Sequence, residues 1–105
     1  IEFDTKGNVL TANNNFLQTM GYRLEELVGK HHRTMVDAST ASSSNYSLFW
    51  SELGSGQSKS DTYKQLTKEG KEVWMQTVYA PVKDEMGRVV KVVAIATDVT
   101  AERLR

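Results

Sequence analysis

Two adjacent histidines, His31 and His32, are the residues of this chain whose type and spacing point most directly to chemistry. Imidazole titrates near neutral pH and is a common ligand of metals and of haem iron. Neighbouring residues of a helix point about 100° apart, so at most one of the two can face the interior. One hypothesis is therefore axial ligation of haem iron by His32, with His31 as the alternative ligand. The other is a histidine that only forms structural hydrogen bonds.

Other reactive groups are scarce. The chain contains no cysteine, which excludes disulfides, thiolate ligands and cysteinyl adducts. No Ser–His–Asp set, catalytic carboxylate pair or phosphate-binding glycine loop is recognisable, so we predict that the chain is not an enzyme. Thirteen basic residues balance 13 acidic ones, and a surface without excess positive charge is not expected to bind nucleic acid or an anionic membrane.

The order of the predicted elements indicates the fold class. Alternating apolar and polar residues predict strands, and apolar residues at helical spacing predict helices. The segment 37–45 is rich in Asp, Ser, Thr and Asn and predicts a loop. We predict strands at 1–4, 9–12, 59–67, 71–83 and 88–99, and short helices at 16–20, 24–28, 30–36 and 46–53. In 105 residues these elements form one α+β domain, an antiparallel sheet with helices on one face.

Four ordered motifs resemble those of PAS domains, and the resemblance covers nearly the whole chain. They are Gly7–Asn13 followed by Phe16 and Met20–Tyr22, then Leu24–Lys30, Lys68–Trp74, and Asp84–Arg88 with Asp98–Thr100. The resemblance implies a PAS-like five-stranded antiparallel sheet with short helices packed on one face around a small cavity. It also implies a sensory or dimerising module, with residues 1–100 as the PAS sensory domain and 101–105 as the start of a C-terminal output or linker helix.

A narrower resemblance concerns the middle of the chain. His31–Asp37, together with Phe49 and Trp50, is similar to the PAS domains of bacterial methyl-accepting chemotaxis transducers. The chain begins at Ile1 without an initiator methionine and ends at Arg105 inside a predicted helix, so we expect a piece of a longer protein. The resemblance implies a cytoplasmic location, either free or as part of a membrane-anchored receptor, with a downstream signalling domain in the same chain.

The register of the family places alternate residues of the three long strands towards the cavity. These inward positions are Tyr63, Gln65, Val73, Met75, Thr77, Tyr79, Val92, Ala94 and Ala96. They either line a pocket for a small ligand or fill the core, and the small alanines leave room for a ligand. The candidate ligand-binding or cofactor-binding residues are His31, His32, Trp50, Gln65, Met75, Thr77, Tyr79, Ala94 and Ala96.

Haem and flavin are the two cofactors to which the resemblance leads. His32 stands where the light-sensing LOV members carry their photoreactive cysteine, so their cysteinyl–flavin adduct is excluded. Where those proteins hold the flavin with amides, this chain has Gln65, Met75 and Ala96, of which only the first is an amide. LOV-type flavin binding is therefore not expected. Trp50 is compatible with a flavin contact of the aerotaxis type, although an aromatic residue at helical spacing is more often part of the core.

The opposite face of the sheet is also apolar. Trp74, Val78, Val93 and Ile95 alternate with inward residues and form an outer patch that needs a cover. A preceding helix or a second copy of the domain would cover it, so we predict an interface here and a homodimer as the expected assembly.

Asp98 and Thr100 stand where the last strand meets the final helical residues, and both are typical helix-capping residues. The resemblance implies that this junction relays a signal to an output helix. The sequence therefore predicts a sensory domain that binds a small ligand or cofactor and relays its state through this junction. The alternative is a ligand-free module that acts only in dimerisation or protein–protein interaction.

Overall fold

A computed structural model describes residues 1–103 of the chain. Its strands are β1 (Glu2–Phe3), β2 (Val9–Thr11), β3 (Lys59–Leu66), β4 (Glu72–Lys83) and β5 (Val89–Asp98), and its helices are α1 (Asn14–Met20), α2 (Leu24–Leu27), α3 (Ala38–Ala41), α4 (Ser44–Gly54) and α5 (Thr100–Arg103), with a 3₁₀ helix at His32–Met35. The last predicted segment, 101–105, is thus helical as far as residue 103, and residues 104 and 105 lie outside the described part.

The five strands form one antiparallel sheet in the order β2-β1-β5-β4-β3. The predicted α+β fold is confirmed. β4 lies between β5 and β3, and its register runs from Met75 opposite Asp98 to Lys83 opposite Val89. Because side chains alternate along a strand, β4 presents one set of residues to the helices and the other set to the outer face.

One side of the sheet is covered and forms the core. The buried strand residues are Phe3, Val9, Gln65, Val73, Met75, Thr77, Tyr79, Val92 and Ala94. From the helical side, Met20, Leu27, Met35 and Leu53 are fully buried against them. The apolar stripe of the helix at 46–53 is what directs this packing, since residues at i, i+3, i+4 and i+7 share one helix face.

The segment 37–45, predicted as a loop, contains a short helix. The Asp37 carboxylate caps α3 by accepting the Thr40 amide hydrogen at 3.1 Å, and Ser43 caps α4 by accepting the Tyr46 amide hydrogen at 3.1 Å. α3 buries none of its residues. The loop prediction was wrong here because a helix without an apolar face leaves no periodic signal in the sequence.

Gly7 lets the β1–β2 turn pack tightly against α4. Its φ is +98°, and a Cβ added there would lie 2.7 Å from His31 Nε2 and 2.8 Å from Trp50 Cε2. The turn itself is held by Asp4, whose carboxylate accepts the amide hydrogens of Lys6 and Asn8, both at 2.9 Å. The close approach places the turn beside His31 and beside Trp50 of α4.

Among residues 1–103, no helix has the length and apolar character needed to cross a bilayer.

Candidate functional site

A partly open cavity of about 290 Å³ lies between the helical side and strands β3 and β4. Its inner wall is mostly aromatic and its mouth is polar. The lining residues are His32, Val36, Asp37, Thr40, Ser43, Asn45, Tyr46, Phe49, Thr62, Tyr63, Lys64, Gln65 and Tyr79. A mainly apolar cavity with a few polar groups is the usual form of a small-molecule site.

His32 lies at the inner end of this cavity and hydrogen bonds through both ring nitrogens. Its Nδ1 is 2.7 Å from Tyr46 Oη, and its Nε2 is 2.9 Å from Tyr79 Oη and 3.2 Å from Gln65 Nε2. The side chain is buried. Burial lowers the pKa of His32 to about 3, with a smaller contribution from the neighbouring His31. His32 is therefore neutral at neutral pH.

The hydrogen-bond partners define the tautomer of His32. With the Gln65 amide in this orientation, its Nε2 faces His32 Nε2 and donates to it, so this nitrogen is assigned as the unprotonated one. The proton then sits on Nδ1 and is donated to Tyr46 Oη. Burial raises the pKa of Tyr46 to about 12 and also raises that of Tyr79, so both phenols keep their protons. The inner cavity thus holds polar groups but no charge.

The Gln65 carbonyl oxygen has no hydrogen-bond partner. The residue is 3 % exposed, its amide nitrogen is used by His32, and its Oε1 is buried without a donor among the described residues. Buried polar atoms are nearly always paired, and an unpaired acceptor costs about 1–3 kcal/mol. Gln65 itself is one of the residues that line the cavity, so a ligand donor that displaced the side chains covering Oε1 would be stabilised by this acceptor.

Haem does not fit this arrangement of His32. Both ring nitrogens are occupied, and an iron on Nε2 would have to displace Tyr79 and Gln65. The ring is also enclosed by five aromatic side chains with centroids 5.4 to 6.3 Å away. They are Phe3, Tyr46, Phe49, Trp50 and Tyr79. In the described part of the chain no group of three or more His, Cys, Asp or Glu side chains is arranged to hold a metal ion.

The mouth of the cavity carries the nearest charges. Lys64 Nζ lies 3.8 Å from Asp37 Oδ1 and 3.7 Å from Glu72 Oε2. The hydroxyl and amide hydrogens of Ser39 and Thr40 hold the pKa of Asp37 below its usual value. The Asp37–Lys64 pair joins the start of α3 to β3, and with its polar neighbours it forms a hydrophilic entrance.

The structure divides the predicted site residues among several places. His32, Gln65 and Tyr79 line the main cavity. Trp50 and Thr77 are buried in the core outside its lining. The other predicted residues, Met75, Ala94 and Ala96, line a second, polar cavity of about 350 Å³ between α1 and β5.

His31 lies outside both cavities. Its Nε2 donates to the Lys6 carbonyl at 2.7 Å, and its Nδ1 accepts the Arg33 amide hydrogen at 3.0 Å. Partial burial lowers the pKa of His31. Its role in the structure is to connect the β1–β2 turn to the 3₁₀ helix.

Sequence reasoning missed Tyr46 and the charged pair at the mouth. Tyr46 is the first residue of the apolar stripe on α4, so its inward position was visible, but its bond to His32 was not. Asp37 and Lys64 gave no usable signal, because they are 27 residues apart and each looks like an ordinary surface charge.

The predicted signalling junction is a set of short-range hydrogen bonds. Asp98 Oδ1 accepts the Thr100 amide hydrogen at 2.9 Å and the Thr100 hydroxyl hydrogen at 2.6 Å. The Thr100 hydroxyl oxygen in turn accepts the Trp74 amide hydrogen at 2.9 Å. The start of α5 is thereby attached to β4.

The outer face of the sheet holds the predicted interface residues. Ile95 is 72 % exposed and Val78 is 45 % exposed, and they stand opposite each other on β5 and β4. Trp74 and Val93 are half-buried on the same face. The structure thus leaves an apolar patch on this side of the sheet.

The chain resembles known proteins in family, sequence and fold. A family model described as "PAS fold" matches residues 1–104. The Biofilm dispersion protein BdlA of Pseudomonas aeruginosa is 44 % identical over 101 residues, which cover 96 % of this chain and 24 % of that protein. The chain therefore spans about a quarter of the length of this relative.

Solved structures share the fold at low sequence identity. The dark structure of the blue-light photoreceptor Aureochrome1 LOV has a TM-score of 0.79 at 18 % identity, covering 98 % of this chain and 76 % of that one. A PAS domain from Colwellia psychrerythraea has a TM-score of 0.81 at 18 % identity, covering 96 % and 85 %. An RNA-binding Light-Oxygen-Voltage receptor has a TM-score of 0.82 at 22 % identity, covering 98 % and 29 %. These likenesses concern the fold alone.

Proposed function

Since the chain belongs to the PAS fold family, we propose that it is the sensory input domain of a bacterial signalling protein, a methyl-accepting chemotaxis transducer. Residues 1–100 form the sensor, and residues 101–105 begin the output helix. The sensor binds a small molecule in the cavity beside His32 and passes the bound state to that helix through Asp98 and Thr100. It works in the cytoplasm as a homodimer, without catalysis and without contact to nucleic acid or membrane.

The unpaired Gln65 carbonyl oxygen in the cavity wall is the observation that carries this proposal. Trp50 Nε1 is also buried and unpaired, but only Gln65 belongs to the wall of an open volume of about 290 Å³, where a ligand could supply the missing partner. The resemblance of His31–Asp37 to chemotaxis transducers supports the class of protein. The bacterial relative, a biofilm dispersion protein, supports a signalling role.

β4 provides the route from the cavity to the output helix. Tyr79 of this strand reaches His32, and Trp74 of the same strand donates its amide hydrogen to Thr100. A ligand that displaces Tyr79 would shift β4. Packed elements respond to small shifts by changing between discrete arrangements, so the contact between β4 and α5 would change in turn.

The test fills the cavity in the full-length receptor that contains this domain. Val36 is half-buried and lines the cavity, so Val36→Phe would occupy ligand space. Val90→Phe, at a position that is 51 % exposed, is the matched control. We expect Val36→Phe to abolish the change in receptor output on addition of cell extract, with folding checked by thermal melting, and Val90→Phe to respond normally. A normal response from a folded Val36→Phe receptor would refute the sensor proposal.

Absorption spectra test the cofactor alternative. We expect no Soret band in the purified chain, either as isolated or after incubation with haemin. A Soret band lost in His32→Ala but kept in His31→Ala would instead identify a haem sensor and would require the bonds of His32 to rearrange. A flavin spectrum would identify a redox-sensing flavin domain.

The exposed outer patch favours a second candidate function, association alone. Ile95→Lys introduces a charge at its most exposed residue, and Met86→Lys, at a 79 % exposed residue of the β4–β5 turn, is the control. If Ile95→Lys converts a dimer to a monomer and abolishes output while Val36→Phe changes nothing, the module acts through association. If ligand binding survives in the monomer, sensing and association are separate functions.

A further inference from the structure

The cavity beside Gln65 has a definite chemical preference, which deepens the proposed function and rests on it. We propose that its ligand is an uncharged aromatic molecule of one or two rings whose N–H or O–H group donates to Gln65 Oε1.

The need for a donor follows from the bonds around Gln65. Its Nε2 donates to His32, and its Oε1 has no donor among the described residues. The Tyr79 hydroxyl lies 2.9 Å from His32 Nε2, and as the donor to that nitrogen it has no second hydrogen for Gln65. A ligand that supplies this hydrogen would gain binding free energy, since a buried carbonyl left unpaired is costly.

The aromatic walls define the shape of the ligand. Tyr46 and Phe49 lie parallel to within 9° on α4, with centroids 6.4 Å apart. Tyr63 and Tyr79 meet Phe49 edge-on at 5.8 Å and 5.0 Å from the strands. Aromatic rings pack favourably in such offset and edge-to-face arrangements. A volume of about 290 Å³ is at the lower end of ligand sites and admits a small ring system.

The absence of charge at the inner end of the cavity disfavours an ionised ligand there. His32, Tyr46 and Tyr79 are all neutral at neutral pH, because burial disfavours their charged forms. The charges at the mouth, Asp37 and Lys64, already face each other. A carboxylate or ammonium group carried to the inner wall would be desolvated without a partner.

Three related probes test the proposal by NMR titration of the 105-residue chain. Indole is uncharged and has one N–H donor, 1-methylindole lacks the donor, and indole-3-carboxylate carries a charge. We expect indole to shift the resonances of the Gln65 side-chain amide and of Tyr63. We expect 1-methylindole to bind about tenfold more weakly, the effect of one buried hydrogen bond, and indole-3-carboxylate to bind more weakly still.

A variant assigns the difference to Gln65. Gln65→Leu keeps the size of the side chain and removes the acceptor, so it should lower indole affinity to that of 1-methylindole and leave 1-methylindole affinity unchanged. Gln57→Leu, at an exposed position, is the control and should keep the preference for indole. The comparison of indole with 1-methylindole on the unmodified chain remains decisive if Gln65→Leu does not fold.

Each outcome separates this inference from the sensor function. Equal affinities for indole and 1-methylindole, or a preference for indole-3-carboxylate, would overturn the ligand class while showing that the cavity binds small molecules. If no probe perturbs the cavity resonances, the ligand class is also overturned, and the receptor assay with Val36→Phe then decides the sensor proposal by itself.

Discussion

Thr100 Oγ1 lies 2.9 Å from the backbone nitrogen of Trp74 and accepts its hydrogen bond. The Trp74 carbonyl oxygen accepts the Val99 amide hydrogen at 2.8 Å. Both backbone polar groups of one β4 residue therefore hold the turn that leads from β5 into α5. A displacement of β4 along its length would reach the helix through these bonds.

Removing the Thr100 hydroxyl should loosen the helix from the strand. Thr100→Val keeps the shape of the side chain but leaves the Trp74 amide without its acceptor, at a cost of about 1 kcal/mol in the free energy of unfolding. Amide hydrogen exchange at Trp74 should accelerate. The control is Thr97→Val on the exposed face of β5, which should leave that exchange rate unchanged. Unchanged exchange in Thr100→Val would show that the bond does not hold the junction.

The buried His32 should make the protein sensitive to acid. Burial lowers its pKa in the folded state from 6.5 to about 3, so between these values the unfolded chain binds the proton and the folded chain does not. Stability is then complete above about pH 6.5 and falls as the pH decreases towards 3, with a slope of up to about 1.4 kcal/mol per pH unit.

Urea unfolding between pH 6.5 and 5.5 measures this slope, because most carboxylates titrate below that window. His32 faces Tyr46, Gln65 and Tyr79, none of which changes charge there. We expect His32→Phe to lower stability throughout and to remove most of the slope, whereas His31→Gln should retain most of it. An equal slope in His32→Phe would show that another group is responsible.

Gly7 should tolerate no side chain. Gly7→Ala would combine a positive φ with contacts below 3 Å to His31 and Trp50, and should destabilise the fold by about 3 kcal/mol or more. Gly70→Ala is the matched control, because Gly70 also has a positive φ, +84°, but no atom within 4 Å of the added Cβ. It should cost about 1 kcal/mol. Similar urea midpoints for the two variants would contradict the close approach.

Two substitutions at Asp37 should separate its capping role from its ion pair. Asp37→Ala removes the acceptor for Thr40 and should cost about 1 kcal/mol. Asp37→Asn keeps one acceptor oxygen for the Thr40 amide hydrogen but loses the pair with Lys64 at 3.8 Å and one of the two acceptors for the exposed hydroxyls of Ser39 and Thr40. Exposed groups can turn to water, so its stability should stay within about 0.5 kcal/mol of the unmodified chain. Denaturant titration compares them, and equal losses in both variants would mean that the ion pair, and not the cap, stabilises α3.

The fold could be predicted because its signals are local. Alternation along 71–83 and 88–99 revealed two long strands and their two faces, and the stripe from Tyr46 to Leu53 revealed α4. The ends of these helices are local too: Gly21 ends α1 through its own backbone conformation, and Ser43 caps α4 through its own side chain. Each of these patterns depends on residues within a few positions of one another.

The site was predictable only in part, because its partners are distant along the chain. The parity of the strands placed Gln65 and Tyr79 inward, but it also grouped Ala94 and Ala96 with them, and these line a different cavity. The alternation of side chains along a strand identifies the face of the sheet on which a residue lies, but it does not identify which cavity on that face the residue lines. The helix α1 and the 3₁₀ helix cover different parts of that face, and their positions divide the space.

The sequence by itself determined the order of the five strands and of the helices with an apolar face, the antiparallel sheet, the buried and exposed faces and the PAS family, but not α3. Tertiary structure alone decided which histidine is enclosed, which atoms it bonds and which acceptor remains unpaired. His32 meets Tyr46, Gln65 and Tyr79 across 14, 33 and 47 residues. Hydrogen bonds depend on distances of a few tenths of an ångström, and such distances follow from the packing of whole elements rather than from any local pattern.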